Sequence, residues 1–222
     1  MGRVSRLRFL ALLVPAWLLA ACGSSESVRY KMTVEVDTPE GLKIGSAVRE
    51  STYETPPSLP AIGEDRGRIT VKGEAVAVDL PNGQTLFALL SSATHDVDYA
   101  ARIPDRMMAL GKGRVITRQP VTIWPPAHPE GVPMLVRFVD IADPKTVEVI
   151  EPDALEKSFG PNYRLKRIEV QLTQEPITIG IGERLRWLGP YPEPSLIAPQ
   201  GLHDWSPAAR VRHGDFRRGT MK

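Results

Sequence analysis

From Arg29 to Asp37 the apolar residues Tyr30, Met32, Val34 and Val36 alternate with Arg29, Lys31, Thr33, Glu35 and Asp37. Side chains in a strand point to opposite faces in turn, so this period of two predicts a strand with one wet face. Thr38-Pro39-Glu40-Gly41 is turn chemistry, and Leu42, Ile44 and Val48 resume on alternate positions, which predicts a first antiparallel hairpin over 29–50. The stretch 54–67 has three prolines, two glycines and no periodicity, and reads as a long surface loop. A second strand pair is expected over 68–80 and 85–90 around Asn82-Gly83. Within it the run 86–90 is apolar at every position, the signature of a central strand covered on both faces.

Residues 95–110 hold helix formers, but Pro104 divides them, so one short helix or two single turns are expected, stopped by Gly111 and Gly113. A strand near 114–118 is followed by Pro120, Pro125, Pro126, Pro129 and Pro133 around Trp124 and His128, a segment that must be extended or irregular. A third hairpin is predicted from 134–141 and 146–150, then a helix of about two turns opened by Pro152 and stopped by Gly160. The alternation over 163–173 slips phase at Lys166-Arg167, where one extra residue in a bulge restores it. A further helical turn fits 182–188.

These elements predict a mainly β domain over 28–189, an antiparallel sheet or sandwich built from hairpins with two or three short helices. A mixed α+β arrangement is the alternative. Gly and Pro supply 18 and 21 of the 222 residues, which favours turns over long helices and argues against a helical bundle. From residue 190 the chain is proline-rich and then basic, with five basic and two acidic groups over 201–222, and this C-terminal extension is expected to be extended and partly disordered.

The amino terminus has a different character. Arg3, Arg6 and Arg8 precede an apolar run from Phe9 to Ala21, and the first acid is Glu26. That is the charged and apolar layout of an export signal, and 13 apolar residues containing Pro15 are too few for an untilted span of about 20. The run ends Leu19-Ala20-Ala21-Cys22 around the single cysteine of the chain, which resembles the bacterial lipobox. The resemblance implies that residues 1–21 are a signal peptide, that Cys22 becomes the acylated first residue, and that 22–27 form a short spacer. Gly23 stands where an Asp would imply inner-membrane retention, so the outer membrane is the expected address. Past this motif the body resembles uncharacterised proteobacterial envelope lipoproteins.

Removing residues 1–21 leaves 25 basic and 26 acidic residues, a net charge of −1, which gives no support for a nucleic-acid partner. With one cysteine the mature chain has no internal disulfide, and its fold must rest on its core.

No Gly-x-Ser-x-Gly elbow, His-Glu-x-x-His motif, Walker loop or cysteine pair is present. The densest chemistry is Ser91-Ser92-Ala93-Thr94-His95-Asp96-Val97-Asp98, at the end of the all-apolar strand. Ser92, His95 and Asp96 are the weak candidates for catalysis, with His95 as a base toward a hydroxyl or as a metal ligand. The competing reading makes Thr94 or Asp96 a helix cap and Asp98 a first-turn acid, and it is preferred. His203, Asp204, His213 and Asp215 are weak metal candidates without the spacing of a closed site. Trp124, Trp187, Tyr191 and Trp205 lie near prolines, where they form an aromatic binding groove or pin those segments to the sheet.

The expected function is therefore a membrane-tethered periplasmic lipoprotein, a non-enzymatic binding or structural envelope component needing no cofactor. Its partners are the membrane, through the acyl chains, and an envelope protein. The alternatives are a hydrolase or metal-dependent enzyme using the 91–98 cluster, and a subunit of an envelope assembly, which predicts an exposed apolar patch or an open strand edge.

Overall fold

A computed structural model of the chain describes residues 24–55, 67–110, 119–125, 131–189, 195–197, 201 and 204–220. The signal over 1–21, Cys22, the strand expected at 114–118, most of the loop at 54–67, His128, Tyr191 and His203 lie outside the described residues.

β1 (Ser24–Thr38) and β2 (Gly41–Thr55) pair residue for residue from Thr38↔Gly41 out to Ser24↔Thr55. The first hairpin thus reaches past the expected 29–50. Ser24–Ser27, expected as a flexible spacer, are strand, because each finds a ladder partner in β2. The run expected as one strand over 68–80 divides into β3 (Arg68–Glu74) and β4 (Val76–Asp79), which enter different sheets. The break falls at Ala75, whose N–H is taken by the carbonyl of Phe216.

The remaining elements are β5 (Thr85–Ser92), α1 (Ile103–Leu110), β6 (Val121–Trp124), β7 (Pro133–Phe138), β8 (Val147–Ile150), α2 (Leu155–Phe159), β9 (Arg164–Leu172), α3 (Ile181–Arg184), α4 (Pro207–Arg210) and β10 (Arg217–Arg218). They make a six-stranded sheet in the order β10-β3-β2-β1-β9-β6 and a four-stranded sheet β4-β5-β7-β8, all neighbours antiparallel. The fold is mainly β, with four short helices among the described residues where two or three were expected. The phase slip in β9 is a bulge. Glu35 faces Arg167 and Val36 faces Leu165, so Lys166 is the extra residue and both Leu165 and Ile168 reach the core.

The core has two layers. Tyr30, Met32, Val34 and Val36 of β1, Val76 and Val78 of β4, and Leu86, Ala88 and Leu90 of β5 belong to one cluster between the sheets. The other face of β5 and β7, with Phe87, Leu89, Met134, Val136 and Phe138, meets Ile181, Leu185, Val211 and Phe216. Every residue of β5 is buried, as its unbroken apolar run predicts.

What covers that second face corrects the expected tail. Far from being an extension outside the domain, residues 204–220 are folded onto it. Val211 and Phe216 are fully buried, and β10 pairs with β3 through Arg217↔Glu74 and Arg218↔Gly73. The basic residues hid this, since Arg217 and Arg218 lie at the rim while one aromatic between helical turns carries the packing.

Between the sheets lies an unexpected charge. Arg49 of β2 is fully buried, donating from Nε to the carbonyl of Glu74 at 2.9 Å, from Nη2 to the carbonyl of Ala88 at 3.2 Å and from Nη1 to Met32 Sδ at 3.5 Å. Among the described residues no carboxylate lies within ion-pairing distance of it, so carbonyl dipoles from both sheets solvate the cation. Gly73 makes room for it: a Cβ there would stand 2.8 Å from Arg49 Cγ.

Candidate functional site

The polar cluster at the end of β5 is built by a chain reversal. The N–H of His95 bonds the carbonyl of Ser92 at 2.9 Å, with His95 in the left-handed region at φ 64°, which few residues other than glycine adopt and which Asn, Asp and His tolerate best. Ser92 Oγ shares a hydrogen bond of 2.9 Å with Thr94 Oγ1 and accepts the N–H of Asp96 at 3.0 Å. Asp96 accepts the N–H of Asp98 through Oδ1 at 3.0 Å and faces the Arg106 guanidinium through Oδ2 at 3.4 Å. Ser92 and Asp96 are thus fastened into the turns leading to α1, as the structural reading of these residues expects. The helix itself begins later, at Ile103, so they cap those turns and not α1.

The surprise is what meets His95. Arg210, at the end of α4, places Nη2 2.8 Å from Nδ1 of His95. Since guanidinium only donates, that ring nitrogen is the acceptor and the imidazole is neutral. Burial pushes the His95 pKa down, Arg210 pushes it further, and Asp215 pulls it back up. Asp215 is itself buried. Its carboxylate accepts the N–H of Arg212 at 2.8 Å, and Ser91 Oγ faces it without reaching hydrogen-bond geometry. Burial raises the Asp215 pKa, opposed by the Arg212 N–H and by Arg218. His95 and Asp215 therefore share one neighbourhood, although they are 120 residues apart in the chain. Serine in this neighbourhood means Ser91, not the expected Ser92. The one sequence signal for the juxtaposition is the need of the 86–90 run for a cover.

Of the metal candidates, Asp204, His213 and Asp215 are described, and they do not form a site. Among the described residues no group of three or more His, Cys, Asp or Glu is placed to hold an ion. Asp204 accepts the N–H of Ser206 at 3.0 Å, and the His213 ring lies 5.5 Å from that of Trp187, its pKa lowered by burial and by Arg217.

The tryptophans do not form one groove either. Trp124 packs on the core between the sheets, with Nε1 directed at the Leu165 carbonyl at 3.4 Å. Trp187 donates to the Ile141 carbonyl at 2.9 Å and stacks edge-on with Phe138 and Phe216 in the other layer. Both pin their segments to the sheets. Trp205 alone is exposed, with the Arg210 guanidinium 5.8 Å from its ring centre.

Two open clefts lie elsewhere. One of about 270 Å3 is lined by Gln84, Phe87, Phe138 and Ile141. The larger, about 700 Å3, is lined by Ser27, Val28, Arg29, Glu50, Leu172, Thr173 and Gln174. It lies where β9 leaves β1: the last ladder pair is Tyr30↔Leu172, and Thr173 N–H then bonds the Arg29 carbonyl at 3.1 Å. Backbone groups of alternate strand residues point the same way, so those of Ser25 and Ser27 point to the β9 side, with Ser27 lining this cleft and no strand opposite either among the described residues. Neither cleft is lined by Ser91, Ser92, His95 or Asp96. No family model, curated protein or solved structure matches the chain, and its functional reading rests on this geometry.

Proposed function

We propose that the chain is an acylated lipoprotein, tethered through Cys22 to the periplasmic side of the outer membrane, which works as a non-enzymatic binding or structural component of the envelope. The observation that carries this reading is the placement of the open strand edge. Ser24–Val28 begin two residues past Cys22, so the edge beside them, which no strand among the described residues pairs, and its cleft lie next to the proposed tether. The hydroxyl of Ser92 and the carboxylate of Asp96, which an enzyme reading would use, are committed to a turn.

The same edge favours the assembly-subunit form of this reading, because unpaired backbone groups are a template for an added strand from a partner. The tether is tested by intact mass and membrane fractionation of wild type beside Cys22→Ser. A mature chain starting at residue 22 with acyl mass, absent from the variant, supports it; an unmodified soluble product overturns it. The edge is tested by Ser27→Pro, which removes one outward N–H. Loss of the native envelope complex from an otherwise folded variant is the expected result, and an unchanged complex removes the edge from the proposal.

A further inference from the structure

The segment 204–220 is a strap across the outer face of the four-stranded sheet, and its polar attachment near the end of β5 is unusual in kind. Where a carboxylate would ordinarily hold Arg210, a neutral imidazole does. Once protonated, both nitrogens of the ring are donors, so the bond to Arg210 cannot survive and two cations are left 2.8 Å apart. The strap also carries a second half-buried imidazole, His213, which faces Trp187 and the Arg217 side chain. Under the strap are Phe87, Leu89, Met134, Val136 and Phe138, an aromatic and aliphatic face that the strap covers together with Ile181, Leu185 and Trp187.

We propose that the His95–Arg210 pair is an acid-sensitive latch, which holds the strap on the sheet while His95 is neutral and loosens it when His95 takes up a proton.

The groups that face His95 set the direction. From α4 comes Arg210, from the turn at 213–215 comes Asp215, and on its own segment Asp96 is engaged by Arg106. Burial and Arg210 oppose protonation and Asp215 favours it, with a net lowering of the His95 pKa. In the loosened strap His95 returns to an ordinary value near 6.5, so the loosened state binds the proton more readily. Stability of the latch is therefore complete above that value and is lost as the pH falls through the lowered one. His213 acts in the same sense against Arg217. Asp215, raised by burial and facing Arg212, Arg218 and Ser91, acts in the opposite sense, losing stability as the pH rises through its own raised value.

The test is amide hydrogen exchange of the intact mature protein at about pH 7.5 and about pH 5, corrected for intrinsic rates, in wild type, His95→Asn and His213→Gln. Asn tolerates the left-handed backbone of residue 95 and supplies an acceptor that does not titrate. In wild type the amides of Val211, Asp215 and Phe216 are expected to exchange about tenfold faster at the lower pH for each unit by which His95 is shifted, while those of β1 and β9 keep their protection. His95→Asn is expected to diminish that selective change, leaving only the part that His213 contributes, and His213→Gln to keep the part that comes from His95. Uniform behaviour of strap and sandwich in wild type, or an undiminished change in His95→Asn, overturns the latch. The readout does not depend on acylation, so the latch and the tether stand or fall separately.

Discussion

Arg49 Nη2 donates to the carbonyl of Ala88 at 3.2 Å, and through this bond a strand of the six-stranded sheet reaches across the core to the central strand of the other. Its Nε holds the Glu74 carbonyl at the same time, beside the point where the chain crosses from β3 to β4. A fully buried cation is expensive, and it persists here because removing it strands the carbonyls that it serves.

Arg49→Ala is therefore expected to cost about 3 kcal/mol or more, from two unsatisfied carbonyls and a cavity. Arg49→Met, which restores volume but no donor, is expected to lose less. Urea unfolding in a Cys22→Ser background measures both, and a loss below about 1 kcal/mol for Arg49→Ala would contradict the bridging role.

Gly45 of β2 passes so close to β4 that an added Cβ would run into the carbonyl oxygen of Ala77. Gly45→Ala is expected to destabilise by about 1–3 kcal/mol, through a forced separation of the two sheets. Gly131→Ala, where φ lies outside the left-handed region and a Cβ meets nothing within 4 Å, is the comparison for the backbone effect alone. Equal losses in the two variants would show that close approach at Gly45 is not the cause.

Phe216 packs against Phe87 at 5.9 Å, Phe138 at 5.7 Å and Trp187 at 5.6 Å between ring centres. Phe216→Ala is expected to cost about 3–5 kcal/mol and to change the fluorescence of Trp187. Wild-type stability in this variant would mean that the tail is an appendage after all.

Asp215 titrates against the fold. Its folded pKa is raised, so its contribution is complete below the ordinary value near 3.8 and is lost as the pH rises through the raised one. Asp215→Asn keeps an acceptor for the Arg212 N–H and removes the charge. Relative to wild type, the variant is expected to gain stability as the pH rises from about 3.8 through the raised value and then to level off, read from urea midpoints between about pH 3 and about pH 7. A constant difference between the two proteins would rule out the raised pKa.

Much of the sheet architecture was legible in local pattern. The alternation from Tyr30 to Val36, the turn at Pro39-Glu40-Gly41, the helix before Gly160 and the slip at Lys166 each follow from side-chain period or turn chemistry. Such signals are local, because a strand residue carries its facing with it. The candidate site was legible only in part. The Ser92–Asp96 turn follows from short polar side chains next to their own backbone, whereas Arg210 and Asp215 reach His95 only through the path of the tail.

The chain by itself determined a mainly β domain and a β5 that needs cover on both faces, since hydrophobic period and unbroken apolar runs are properties of neighbouring residues. Tertiary structure alone decided that the basic tail over 204–220 supplies part of that cover, that 68–80 divides between two sheets, and that Arg49 is buried between them. Each depends on which distant surface is available to bury an aromatic ring or to offer a carbonyl, and no short stretch of sequence carries that information.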